Sequence, residues 1–170
     1  EGSSNGIAIV RTHEEWTNAM LEASKSYGQI LAEEYVEGRE FTCAVLGEEA
    51  LPIVEIVANR DGFYSYDAKY APGGSTHVAP AKIDDDLAAR LQMLGLSAHR
   101  LLGLRDYSRS DFIIRADNRP YLLEVNSLPG LTSASLLPDA CAAAGIGFEA
   151  LIDRLVNYAL ARADVRDAVA

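Results

Sequence analysis

Residues 109–126, Arg-Ser-Asp-Phe-Ile-Ile-Arg-Ala-Asp-Asn-Arg-Pro-Tyr-Leu-Leu-Glu-Val-Asn, constrain the fold more than any other stretch of the chain. Two β-favouring runs flank Asp117-Asn118, a tight-turn pair that tolerates positive φ, and strands joined so closely pair as an antiparallel hairpin. With those two residues as the loop, Ala116 lies opposite Arg119, Asp111 opposite Glu124 and Arg109 opposite Asn126. Side chains alternate along a strand, so Arg109, Asp111, Glu124 and Asn126 share one face, while Phe112, Ile114, Tyr121, Leu123 and Val125 take the other. Opposed residues have Cβ atoms roughly 5 Å apart, where like charges destabilise a sheet. Two carboxylates so placed want a cation between them, and Asp, Glu and Asn are hard oxygen ligands suited to Mg²⁺. A single acid on a hairpin reads best as a solvated surface residue. An Asp–Glu pair with an Asn and an Arg on the same face favours a metal and anion site.

The 170 residues suffice for a substantial core and suggest one domain, or two small ones. Twenty-five acidic against fifteen basic residues, a net charge of −10, argue against a nucleic-acid partner or an anionic membrane. No apolar run approaches membrane-span length, and no signal segment opens the chain. Cys43 and Cys141 lack metal-ligand spacing and read as buried structural thiols, which fits a reducing cytoplasm. The opening Glu-Gly-Ser-Ser-Asn-Gly is loop-like and has no initiating Met, so we expect a fragment of a longer polypeptide.

Ile7–Val10 can form a short strand. Thr12-His-Glu-Glu15 has the form of a capping box, with Trp16, Met20 and Leu21 at helical spacing and Gly28 ending the helix. Three strand candidates follow, 29–36, 40–46 and 51–57, the last two joined as a hairpin by Gly47-Glu-Glu-Ala50. Residues 59–82 lack periodicity and read as long loops. A helix is expected over about 84–102, with Leu87, Leu91, Leu94, Ala98 and Leu101 as its apolar stripe, Asp84–Asp86 as its N-terminal charge complement and Gly103 as its stop. After the hairpin come a Pro-Gly loop, a short helix ending near Gly145 and a last helix over about 148–162. Helices alternating with antiparallel strands predict an α+β architecture.

Ser127-Leu-Pro-Gly-Leu-Thr-Ser-Ala-Ser135 places a tight turn and hydroxyls before a helix, an arrangement that offers N–H and O–H donors to an anion. Ser133 or Ser135 acting only as a helix cap is as good a reading for either alone. The 63–77 stretch gathers aromatics, glycines and Lys69, in a chain with three lysines against twelve arginines. A lysine there can close over phosphates, although an exposed surface lysine is the plainer reading, and His77 reads as a loop or core histidine. Glu33-Glu-Tyr-Val36 and Glu37-Gly-Arg-Glu40 set acids around a strand end, where a carboxylate accepts hydrogen bonds from a ribose or amine, or is simply solvated.

Taken together, Glu1-Gly-Ser-Ser4, Glu33-Glu-Tyr-Val-Glu-Gly-Arg-Glu40, Phe63-Tyr-Ser-Tyr-Asp-Ala-Lys-Tyr70, Arg109-Ser-Asp111 and Glu124-Val-Asn126-Ser-Leu-Pro-Gly130-Leu-Thr-Ser-Ala-Ser135 resemble the C-terminal part of the ATP-grasp ligases, most closely the D-alanine–D-alanine ligase family. The Glu-x-Asn-x-x-Pro-Gly element is common to many ATP-grasp enzymes, whereas the Ala-Lys-Tyr loop and the Leu-Thr-Ser-x-Ser tail are more particular to the dipeptide ligases. The resemblance implies an ATP-grasp fold, α+β with an antiparallel sheet and flanking helices, incomplete at the N-terminus. Residues 1–170 would be the C-terminal portion of the ligase domain, without its substrate domain and upstream ATP-binding segment.

It also implies roles. Asp111, Glu124 and Asn126 would hold two Mg²⁺ (or Mn²⁺) ions that bridge the phosphates of ATP. Glu33, Tyr35 and Val36 would meet the adenine and Glu40 the ribose, while Lys69 and Tyr70 would close over the phosphates. Arg109 and the Gly130 N–H would stabilise an oxyanion, Ser135 with Leu136 would bind the carboxylate of the second substrate, and Ser3 would orient groups at the first. The implied reaction joins two D-alanines through an acyl phosphate for peptidoglycan precursors, in the cytoplasm, with a homodimeric full-length protein. The segment alone would bind ATP weakly and turn over little. The alternatives are another ligase of the same fold, such as a D-alanine–D-lactate type, or a non-catalytic nucleotide- or metal-binding module.

Overall fold

The computed structural model describes residues 6–58 and 75–167. The chain divides into two compact units, residues 1–36 with 58–75 and residues 37–57 with 76–170, each taken by itself. Ser3, Lys69 and Tyr70 lie outside the described residues.

In the first unit the capping box forms as the sequence predicts. The Glu15 N–H donates to Thr12 Oγ1 at 3.1 Å and the Thr12 N–H to Glu15 Oε2 at 3.2 Å, which opens α1 (His13–Ser26). None of its residues is buried, and Trp16 and Leu21 are exposed. Residues 7–10 and 29–36, expected as strands, are irregular. Among the described residues neither run gains a ladder partner, and β-propensity without one makes no strand.

The second unit is built on β1 (Arg39–Leu46), β2 (Glu49–Ala50), β3 (Val54–Ala58), β4 (Ser75–Val78), β5 (Tyr107–Ile114) and β6 (Pro120–Asn126), in the order β4-β3-β1-β5-β6 with β2 on β1. β1 pairs antiparallel with β2, β3 and β5, and β5 with β6. Among the described residues the helices of this unit are α2 (Asp85–Leu101), α3 (Leu136–Ala143) and α4 (Phe148–Asp167). The α+β class with an antiparallel sheet is thus observed. β4 falls where the sequence reads as loop, because four residues are too few to show a period.

β1 is the central strand of this unit's sheet. Phe41 through Leu46 are all buried, and both α2 and α3 contact this strand. Phe41, Cys43, Phe112 and Ile114 pack with Ile53 and with Leu87 and Leu91 of α2. The buried stripe of α2 is Leu87, Leu91, Gly95 and His99; Leu101, expected on it, is 86 % exposed. The stripe follows the four-residue ridge instead, because Gly95 lets the helix lie against Cys43: a Cβ there would stand 2.7 Å from the Cys43 Sγ. Cys43 and Cys141 are buried free thiols, as read from the sequence, and burial pushes them up to about 12 and about 11.

Candidate functional site: the polar face of the β5–β6 hairpin

The β5–β6 register sets Arg109 opposite Asn126 and Asp111 opposite Glu124, as the sequence predicts. The turn differs. Arg115 N–H donates to Arg119 O at 3.1 Å and Asn118 N–H to Arg115 O at 2.9 Å, so the loop is Ala116-Asp117-Asn118, with Asn118 at φ 60°. That is the three-residue hairpin whose last residue is left-handed. Ala116 therefore does not face Arg119. The extra loop residue moves the pairing by one at Ile114–Pro120, and an irregularity between Asp111 and Phe112 moves it back, so Phe112 faces Leu122 and Leu123 is the added residue. Tyr121, expected on the core face, consequently faces Ile113 on the Asp111 side.

β1 extends the same face, since Thr42 lies opposite Asp111 and Glu40 opposite Ile113. Glu40, Thr42, Arg109, Asp111, Glu124 and Asn126 thus share one surface of three adjacent strands. Asp111 is its buried centre, 6 % exposed. Its Oδ1 accepts from Thr42 Oγ1 at 2.6 Å and from Arg109 Nε at 2.8 Å. Its Oδ2 accepts from Arg109 Nη2 at 2.7 Å and from Asn126 Nδ2 at 3.3 Å. Asn126 Nδ2 also donates to Glu124 Oε1 at 3.2 Å, so one amide touches both carboxylates.

Thr42 was not singled out from the sequence. Its signal there is slight: a lone hydroxyl in the apolar run Phe41-Thr-Cys-Ala-Val-Leu46. Only pairing with β5 gives that hydroxyl its carboxylate.

The donor set suits a hard divalent cation. Glu124 is exposed, with lone pairs left over, and turning the Asn126 amide about its last bond would set an oxygen where its nitrogen now meets both acids. Arg109 supplies the neighbouring positive charge for an anion, in bidentate contact with Asp111.

Beyond Asn126 the chain turns through Pro129-Gly130 to α3. Ser135 occupies the N-cap position of α3 but makes no side-chain cap bond. Its Oγ instead accepts the Thr132 N–H at 3.0 Å and meets Thr132 Oγ1 at 2.9 Å. Gly130 allows this: a Cβ at that position would stand 2.7 Å from Ser135 Oγ. The Leu136 side chain is buried, so Leu136 can offer a ligand only its backbone N–H at the first position of α3. Glu33 and Tyr35, in the other unit, are exposed and Val36 is half-buried, with the Arg11 guanidinium 5.9 Å from the Tyr35 ring centre.

A family model described as D-ala D-ala ligase C-terminus matches residues 1–157. A D-alanine–D-alanine ligase of Desulfotalea psychrophila is 44 % identical over 164 residues, covering 94 % of this chain and 51 % of that protein. Among solved structures, D-alanine–D-alanine ligase from Bacillus anthracis complexed with ATP aligns with a TM-score of 0.78 at 28 % identity, covering 97 % of this chain and 52 % of its own. VanG D-Ala:D-Ser ligase from Enterococcus faecalis gives 0.79 at 31 % identity, covering 92 % and 46 %. The chain spans about half the length of the curated relatives it matches.

Proposed function

Because the chain belongs to the D-ala D-ala ligase C-terminus family, we propose that it is the C-terminal, ATP-grasp portion of an ATP-dependent ligase that joins two D-alanines. The observation that carries this reading is the convergence of the Asp111 and Glu124 carboxylates on the Asn126 amide nitrogen, with Arg109 locked to Asp111. Acids held that close suit an enzyme that must gather phosphate charge at one point.

In this reading Asp111, Glu124 and Asn126 hold two Mg²⁺ ions, which when bound offset the charge of the ATP phosphates. Glu40 lies two positions along β1 from Thr42, on the same face, and receives the ribose. Glu33, Tyr35 and Val36 contact the adenine, and Lys69 with Tyr70 covers the phosphates. The first D-alanine carboxylate attacks the γ-phosphorus, giving an acyl phosphate and ADP, and Ser3 orients groups around that substrate. The amine of the second D-alanine then attacks the acyl carbon, and phosphate leaves. Arg109 and the Gly130 N–H stabilise the oxyanion of that step. Ser135 and the Leu136 N–H receive the carboxylate of the second D-alanine. The product is a peptidoglycan precursor, made in the cytoplasm by a homodimer.

The test is phosphate release by the full-length protein with ATP, Mg²⁺ and D-alanine, against D-lactate, D-serine and L-alanine. Turnover that depends on D-alanine and falls by at least about a hundredfold in Asp111→Asn and in Glu124→Gln is expected. Turnover without D-alanine dependence would overturn the reading.

A further inference from the structure

His77 Nδ1 lies 2.6 Å from Asp139 Oδ2, with the two side chains only 16 % and 31 % exposed. The contact ties β4 to the first turn of α3. Asp139 is also the residue whose N–H donates to the Ser135 carbonyl, at 3.3 Å, closing that first turn. His77 therefore braces, through one residue, the helix end that presents the Leu136 N–H and the Ser135 hydroxyl.

Electrostatics gives the brace a second effect. An acid in the first turn is favourable to the helix itself. It is unfavourable to a carboxylate arriving at that same end, because like charges one turn apart repel. A histidine Nδ1–H donates to Asp139 in either protonation state of the ring, draws its carboxylate towards β4 and satisfies it there.

We infer that His77 and Asp139 form a positioning pair for the acceptor: they hold the first turn of α3 and draw the Asp139 charge aside, so that the carboxylate of the second D-alanine can bind. This rests on the functional reading above and names residues that the reading does not use.

The test is steady-state kinetics of the full-length protein, separating the two D-alanine sites and ATP. His77→Ala should raise KM for the second D-alanine three- to tenfold, the range expected from one unshielded charge at a helix end, and leave kcat and the KM for ATP within about twofold. His77→Asn, whose Nδ2 can stand where Nδ1 does, should restore the wild-type value, while His77→Gln should not. His77→Ala/Asp139→Asn should recover in part, since the repelling charge is gone while the brace is still missing. A uniform loss of all parameters with a lowered Tm, or no change in the acceptor KM, would overturn the inference. So would a double variant no better than His77→Ala. If His77→Ala fails to fold, Asp139→Asn decides, since an acceptor KM above wild type would overturn the pair. A wild-type protein with no D-alanine-dependent turnover would remove the functional reading, and the inference with it.

Discussion

Arg109 grips Asp111 from two positions away on the same strand, Nε on Oδ1 at 2.8 Å and Nη2 on Oδ2 at 2.7 Å. Residues i and i+2 project on one side of a strand, so the pair is local in sequence, yet Thr42 of β1 completes the carboxylate's bonding across the sheet. Arg109→Ala would leave a buried carboxylate with neutral partners alone. The expected cost is about 3 kcal/mol of stability, with kcat falling by about a hundredfold or more. Denaturant unfolding of Arg109→Ala, Asp111→Asn and the double variant checks this: the double should be more stable than Arg109→Ala, and strict additivity would refute the pairing argument.

Gly95 sets the depth of α2. Alanine is the better helix former by about 1 kcal/mol, but its Cβ would stand 2.7 Å from the Cys43 Sγ and 2.9 Å from its Cβ. Overpacking should win, with Gly95→Ala destabilising by about 1–3 kcal/mol. Adding Cys43→Gly or Cys43→Ala should return part of that loss, and a Tm of Gly95→Ala above wild type would show that the sheet yields.

His99, on the buried face of α2, has its Nδ1 2.7 Å from Ser108 Oγ, itself fully buried. Burial lowers its pKa from the ordinary 6.5, with the Glu48 and Asp106 charges pulling up and Arg100 pulling down. A histidine held neutral in the fold takes up its proton on unfolding, so its stabilisation is complete above pH 6.5 and is lost as pH falls from there towards the lowered folded value. One proton sets an upper limit of about 1.4 kcal/mol per pH unit on the slope in that window. Unfolding free energies of wild type and His99→Asn between pH 7.5 and about 5 measure it, and equal slopes would exclude His99 as the source.

Cys43 and Cys141 are buried, and burial pushes them up to about 12 and about 11. The thiol form that dominates at pH 8 is a poor nucleophile. Neither residue should react with a disulfide reagent at pH 8 until denaturant is added. Rapid labelling of either in the native state would contradict this packing.

Gly103 and the acidic run of Asp84–Asp86 bound α2 in the sequence, and Thr12 with Glu15 starts α1, because caps act between residues a turn apart. The facing of Arg109, Asp111, Glu124 and Asn126 was legible from alternation, whereas the turn and the compensating irregularity were not, because a hairpin's loop length depends on how its strands twist together. Leu101 was misplaced because a helical stripe read from hydropathy cannot show that Gly95 rotates α2 onto Cys43.

By itself, then, the sequence determined the local and periodic features: caps, alternation, the acid-bearing hairpin, and the motifs that place the chain in its family. Tertiary structure decided which distant residues complete them. Thr42 reaches Asp111 across the β1–β5 pair, and His77 reaches Asp139 from β4 to α3. The physical reason is range. Capping and alternation are set by neighbours within a few residues, while a hydrogen bond between strands far apart in the chain exists only once the apolar faces around Phe41, Cys43 and Leu91 have packed.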